Sequence, residues 1–231
     1  MKKHAVIVAG GTGVRMGVPQ PKQFLEIAGE PIIIHTLRAF AKAFSDIQLT
    51  LVLPANHLQE GAALIASKLD IPVQLVAGGE TRFHSVQNGL ATVKEDAVVF
   101  VHDAVRCLVS TDLIQICYQN ALVAGSAVPV LKSSDSIRFM EHGKHRVLNR
   151  EQVLLVQTPQ VFLSTLILPA FQVSFDVSFT DEATVVERAG HIVNLVEGEE
   201  SNIKITRPVD LRIAAEWLLE KKAVNDQPTV D

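Results

Sequence analysis

Short aliphatic runs alternate with longer segments whose apolar residues recur at helical spacing. The runs are Ala5–Ala9, Leu49–Leu53, Val73–Ala77, Ala97–Val101 and Ala127–Leu131. The helical segments lie near 32–44, 56–68, 82–93 and 111–124. Unbroken aliphatic runs suit strands covered on both faces, whereas half-exposed strands alternate. Strand–helix–strand units in this succession predict right-handed crossovers, hence an α/β fold with a mostly parallel sheet and helices on both faces. Ligands of such sheets sit beyond the carboxyl ends of the strands. That places 10–22, 78–85 and 102–106 on one rim, because each follows a predicted strand.

The pattern changes after Leu131. Weak alternation through 134–150, with His142-Gly143 between Ile137–Met140 and Arg146–Leu148, predicts a hairpin arm over about 133–152. A lone two-stranded hairpin is marginal in water. This arm therefore calls for another surface, expected to be a second copy of the chain. Leu154–Gln157 and His191–Val196 read as further strands, and 202–206 as a short one with Lys204 in its middle. Asp181–Ala189 reads as a helix with Thr180 as its N-cap, stopped by Gly190. Pro208–Lys222 reads as a terminal helix with Asp210 in its first turn, followed by a frayed tail at about 223–231. The whole reads as one domain with an arm.

Composition narrows the partners. Of 231 residues, 48% are hydrophobic and only 5% aromatic, which fits an aliphatic α/β core. With 21 Lys and Arg against 25 Asp and Glu, the chain is no general binder of nucleic acid. No apolar stretch approaches the roughly 20 residues of a membrane span. The two cysteines, Cys107 and Cys117, cannot form a disulfide framework. The expectation is a cytoplasmic protein without a membrane or nucleic-acid partner.

Charge placement then points to a local anion site. The first strand runs into Gly10-Gly11-Thr12-Gly13-Val14-Arg15-Met16-Gly17, then Pro21-Lys22-Gln23. Glycines after a strand let backbone N–H groups approach phosphates. No Gly-Lys-Ser/Thr follows, so this is not a Walker loop. Met16 occupies the place of the third glycine of a dinucleotide fingerprint, which disfavours a nicotinamide dehydrogenase. Residues 1–22 hold four Lys or Arg and no acid, in a chain of net charge −4. That concentration favours a polyanion such as a triphosphate.

Asp103, at a strand's carboxyl end, is placed to bind substrate hydroxyls or a metal-bound water. Arg106 can fork onto a phosphate or onto that carboxylate. His102 should face the other side of the strand and stays outside the chemistry. Read locally, Arg82 and Ser85 simply begin a helix, Arg150 is a surface charge and Lys204 an outward strand lysine.

Strand, glycine loop, Arg15 and Pro21-Lys22-Gln23 together resemble the signature of nucleotidyltransferases that make activated sugars and polyols. With Gly78–Val86, Val101–Arg106, Asn149-Arg150-Glu151, Gln157–Phe162 and Thr180-Asp181-Glu182-Ala183, the chain over roughly 5–222 resembles the 2-C-methyl-D-erythritol 4-phosphate cytidylyltransferase family. The resemblance implies a Rossmann-like, nucleotide-diphospho-sugar-transferase-like fold and transfer of CMP from CTP to the polyol phosphate. It implies that Arg15, Lys22 and Lys204 are catalytic. Ala9, Gly10, Gly11, Gly13, Gly78, Arg82, Ser85 and Ala104 would bind the nucleotide. Asp103, Arg106, Ser136, Arg150 and Thr180 would bind the acceptor, with Arg150 reaching into a neighbouring subunit of a homodimer. Mg²⁺ would be carried mainly by the CTP phosphates, with Asp103 as a possible contact. Cys107 departs from the family's usual proline. A ribitol-5-phosphate cytidylyltransferase, or a nucleotide-binding module without activity, are the alternatives.

Overall fold

The computed structural model describes residues 1–10 and 21–225, the side chains of 221–225 excepted. Gly11, Gly13 and Arg15 therefore lie outside the described residues. In chain order the strands are β1 (Lys2–Val8), β2 (Glu26–Ile27), β3 (Glu30–Pro31), β4 (Gln48–Leu53), β5 (Val73–Ala77), β6 (Ala97–Asp103), β7 (Ser126–Lys132), β8 (Ile137–Glu141), β9 (Lys144–Leu148), β10 (Leu154–Val156), β11 (Gln160–Leu163) and β12 (Leu195–Glu197). The helices are α1 (Ile32–Ala43), α2 (Leu58–Lys68), α3 (Arg82–Leu90), α4 (Thr111–Ala124), α5 (Ser164–Ala170), α6 (Glu182–Arg188) and α7 (Pro208–Asn225).

The main sheet runs β10-β7-β11-β6-β1-β4-β5, with β12 alongside β7. β1 pairs in parallel with β4 and β6, and β4 with β5. All five aliphatic runs are strands, and the four helical segments between them are α1 to α4. The sequence reading lacked β11, which lies antiparallel between β6 and β7, and α5. Gln160 to Phe162 belong to the Gln157–Phe162 motif, and Leu163 lies just beyond it. The strand expected at 191–196 is confined to Leu195–Glu197. The strand expected at 202–206 does not form; Ile205 N–H donates to the Val105 carbonyl, but no ladder follows.

Side-chain alternation sorts the two cores. Ala5 and Ile7 face α1 and α4 together with Val98, Phe100, Leu37 and Phe40; the Cys117 thiol is sealed here with no exposure. Val6 and Val8 face α3, α5 and α6 with Val99, Val101, Phe83 and Val186. On β6 the same parity sends His102 toward α1 and Asp103 toward α3. The arm is the separate β8–β9 hairpin, closed by His142 and Gly143, both at positive φ (48° and 76°). Two left-handed residues in succession suit the right-handed twist of a hairpin. Phe139, Met140 and Val147 on the arm, and Leu154 to Val156 on edge strand β10, leave apolar surface exposed.

Candidate active site

Three strands deliver residues to one rim, as their order predicts. A cavity of about 270 Å³ there is lined by Ala9, Gly10, Lys22, Gln23, Gly79, Arg82, Ser85, Asp103 and Lys204, among others. A larger cavity, about 410 Å³, lies at the amino ends of the strands around His4, Thr50 and Thr92. The polar groups at its base bond one another: His4 Nε2 is 2.8 Å from Thr50 Oγ1 and 3.1 Å from Thr92 Oγ1. The convergent charges sit at the smaller one.

Asp103 is its centre. Lys204 Nζ lies 2.9 Å from Asp103 Oδ2, Arg82 Nε donates to Oδ1 at 3.2 Å, and Arg106 Nε is 3.6 Å from Oδ2. Burial alone would raise this carboxyl, but the charges of Arg82, Lys204 and Arg106 outweigh it and hold it well below the usual carboxylate range. Arg82 also grips Glu182 at the start of α6: Nη1 donates to Oε1, and Nη2 to Oε2 at 3.1 Å. Burial opposes the Arg82 charge, yet the two carboxylates push its guanidinium further up. The pocket thus holds a compensated lattice of charge with spare guanidinium donors.

Lys22 is nearly buried on a single 3₁₀ turn after Pro21, and its Nζ donates to the Ile205 carbonyl at 3.2 Å. That bond brings Lys22 beside the segment carrying Lys204. Gln23 Nε2 donates to the Ala9 carbonyl at 2.9 Å, while its buried Oε1 has no hydrogen-bond partner among the described residues. Ser85 Oγ accepts from Gly79 N–H (3.1 Å) and donates to the Thr81 carbonyl (3.0 Å). A Cβ on Gly78 would lie 2.9 Å from Ser85 Oγ, and one on Gly79 only 2.4 Å from the His84 Cβ. Both glycines are therefore needed for close approach to α3. The Ala104 N–H donates to the Val8 carbonyl, and its carbonyl accepts from Thr36.

Of the remaining sequence candidates, Thr180 is exposed, and the N-cap of α6 is Asp181, whose side chain accepts from Thr184 N–H at 2.9 Å. Aspartate fits the cap as well as threonine and stands one residue closer to the helix. Ser136 and Arg150 are exposed on the arm; Arg150 Nη1 donates to the Ser134 carbonyl at 2.8 Å. None of the three lines the pocket of its own chain. Asp210 accepts from Thr206 and Arg207 N–H groups, a local role as expected.

Several site residues escaped the sequence reading: Glu182, Gln157, Thr158 and Asn202. Gln157 Nε2 donates to the Glu199 carbonyl and Oε1 accepts from Glu199 N–H (2.8 and 3.1 Å). Asn202 Nδ2 donates to the Thr158 carbonyl, and Arg106 Nη1 donates to the Asn202 carbonyl, both at 2.8 Å. This network, not a strand ladder, holds the segment that presents Lys204.

The whole arrangement has known counterparts. The family model described as IspD, 2-C-methyl-D-erythritol 4-phosphate cytidylyltransferase, matches residues 3–221. The chain belongs to this family. The enzyme of that name from Bacteroides fragilis is 43% identical over 94% of this chain and 100% of its own. Among solved structures, 4-diphosphocytidyl-2C-methyl-D-erythritol synthase from Anaerococcus prevotii superposes with a TM-score of 0.81 at 26% identity, covering 94% of this chain and 98% of that one. The Thermus thermophilus cytidylyltransferase gives 0.74 at 31% identity, covering 94% and 98%. Membership of the cytidylyltransferase family makes the chain an enzyme, a nucleotidyltransferase, and the fold is the one these neighbours share. Among the described residues, no helix is long and apolar enough to cross a membrane.

Proposed function

We propose that the pocket around Asp103 transfers CMP from CTP to 2-C-methyl-D-erythritol 4-phosphate, releasing pyrophosphate. The observation that carries this reading is the convergence of Lys204, Arg82 and Arg106 on the Asp103 carboxylate, with Lys22 lining the same pocket at the carboxyl ends of β1 and β6. An acceptor phosphate oxygen attacks the α-phosphorus in line with the departing pyrophosphate. Both reactants are anions, so the protein's task is to hold them together and neutralise charge. Lys22, with Arg15 from the glycine loop, faces the triphosphate. Lys204 stands between nucleotide and acceptor, and Asp103 with Arg106 orients the acceptor. Gly78, Gly79 and Ser85 bring backbone to the base, and no nucleophilic side chain is required.

Mg²⁺ belongs to the same reading. Among the described residues no three His, Cys, Asp or Glu side chains cluster as a metal cage. The donors present fit an ion held mainly by triphosphate oxygens, with Asp103, kept ionised, accepting from its hydration shell. Such an ion would screen charge on the phosphates. The chain's own cations act beside it.

The exposed arm and the position of Arg150 on it support a homodimer in which Arg150 and Ser136 complete the neighbour's acceptor site. Loss of water access to the exposed apolar side chains of the arm would stabilise such a pair. The cytoplasm is the compartment in which this chemistry is expected. The deciding assay is pyrophosphate release, with each of four nucleoside triphosphates crossed against methylerythritol phosphate and ribitol 5-phosphate. Turnover with CTP and methylerythritol phosphate alone is expected; preference for ribitol phosphate, or no turnover at all, overturns the reading.

A further inference from the structure

On the face of β6 opposite Asp103, a fully buried histidine joins two backbone groups of the 103–106 turn. The Asp103 N–H donates to Thr158 Oγ1 at 3.1 Å. Thr158 Oγ1 lies 3.1 Å from His102 Nδ1, and His102 Nε2 lies 3.1 Å from the Arg106 carbonyl oxygen. A carbonyl can only accept, so Nε2 carries the proton. Nδ1 is then the acceptor, and the Thr158 hydroxyl donates to it. The bonds run in one direction from Asp103 through Thr158 and His102 to Arg106.

Packing alone does not call for an imidazole here. Val98 and Phe100, on the same face of β6, are apolar and fully buried, and the His102 ring lies 5.1 Å from the Phe40 ring. Burying a polar ring among them is unfavourable unless both nitrogens are satisfied. What the ring adds is a brace across a turn whose own backbone closure is the Arg106 N–H donating to the Asp103 carbonyl at 3.0 Å. That turn sets the angle between the Asp103 carboxylate and the Arg106 guanidinium.

We propose that His102 is a positioning residue for acceptor binding, acting through Thr158 and the Arg106 carbonyl. The inference rests on the reading of Asp103 and Arg106 as acceptor contacts. The test compares His102→Phe, Thr158→Val, the double variant, Thr158→Ser and Arg106→Ala in steady-state kinetics with both substrates varied. His102→Phe and Thr158→Val should each raise the acceptor KM about tenfold, with the KM for CTP changed less than about twofold. The double variant should be no worse than the worse single one, because both break the same brace. Thr158→Ser, which keeps the hydroxyl, should restore the acceptor KM. If His102→Phe does not fold, the Thr158 pair carries the same test. Equal shifts in both KM values, or multiplying effects of the two single changes, would overturn the proposal. An acceptor KM untouched by Arg106→Ala refutes the acceptor reading itself. A raised KM in Arg106→Ala, with normal values in His102→Phe and Thr158→Val, refutes the brace alone.

Discussion

Arg82 and Glu182 meet end to end, two guanidinium nitrogens on two carboxylate oxygens across 100 positions of sequence. Glu182 is almost wholly buried (1% side-chain exposure), so removing Arg82 strands its charge. Breaking one side of such a pair costs about 3 kcal/mol or more. Arg82→Ala should lower the urea unfolding free energy by roughly that amount and Glu182→Ala by less, because Arg82 keeps Asp103; the double variant should lose clearly less than the sum of the two. Additive losses would mean the two side chains do not act as a pair.

Lys22 and Lys204 are expected to act on charge that develops during transfer. Lys22→Ala and Lys204→Ala should each reduce kcat by about a hundredfold to a thousandfold, with melting midpoints shifted only slightly. Single-turnover pyrophosphate release at saturating CTP checks this. Wild-type rates in Lys22→Ala would remove it from the mechanism.

A site shared between two copies makes a mixing prediction. Arg150→Ala and Lys22→Ala subunits, each inactive alone, should regain activity after subunit exchange. At equal mixing about a quarter of all sites would hold both intact residues, if copies pair at random as closed two-fold dimers. Absence of recovery after demonstrated exchange would return Arg150 to the role of a surface charge.

Gly79 abuts backbone rather than a yielding side-chain tip: an added Cβ would meet the His84 Cβ at 2.4 Å and its carbonyl carbon at 3.2 Å. Gly79→Ala should destabilise the protein by about 1–3 kcal/mol and raise the KM for CTP. Calorimetry together with CTP titration measures both.

Two buried histidines contribute to how stability follows pH. Burial lowers the pKa of His4, and lowers that of His102 from 6.5 to about 3. Below about pH 6.5 the unfolded chain takes up protons that the folded chain refuses, so stability falls as pH falls. For His102 that loss continues down to about pH 3. Each site contributes a slope of up to about 1.4 kcal/mol per pH unit. His102→Gln should flatten the dependence between about pH 6 and pH 4.5 by close to one proton, and His4→Gln should change it in the same direction, read by urea titration at several pH values. An unchanged slope in both would show that neither ring is held neutral by folding.

The parts of this molecule that follow from local pattern were legible in its sequence. Aliphatic runs marked five strands, four of them largely buried and the fifth, β5, at the sheet's edge. The position of Asp103 at a strand's end placed it on the ligand rim, and β-alternation turned His102 away from the pocket. What stayed hidden depends on distant segments meeting. Glu182 has a sufficient local explanation as an acid in a helix's first turn, and only the approach of α6 to α3 gives it Arg82. β11 is short and enters the sheet antiparallel, an order no local pattern encodes. The segment around Lys204 resembled a strand by alternation, yet Asn202 and Gln157 replace the missing ladder. Alternation turns His102 away from the pocket, and its brace exists only because the fold brings Thr158 beside it.

Cys117 gives the molecule an internal reporter. Its thiol is sealed against α1 and pushed up to about 12 by burial, so a thiol reagent at neutral pH meets it only when α4 swings away from the sheet. The rate of labelling therefore clocks the opening of the domain, and bound CTP should slow that clock in proportion to its occupancy. A core cysteine placed for packing thus allows ligand binding to be followed without any engineered probe, once its label is told apart by peptide mass from that on the other buried free cysteine, Cys107.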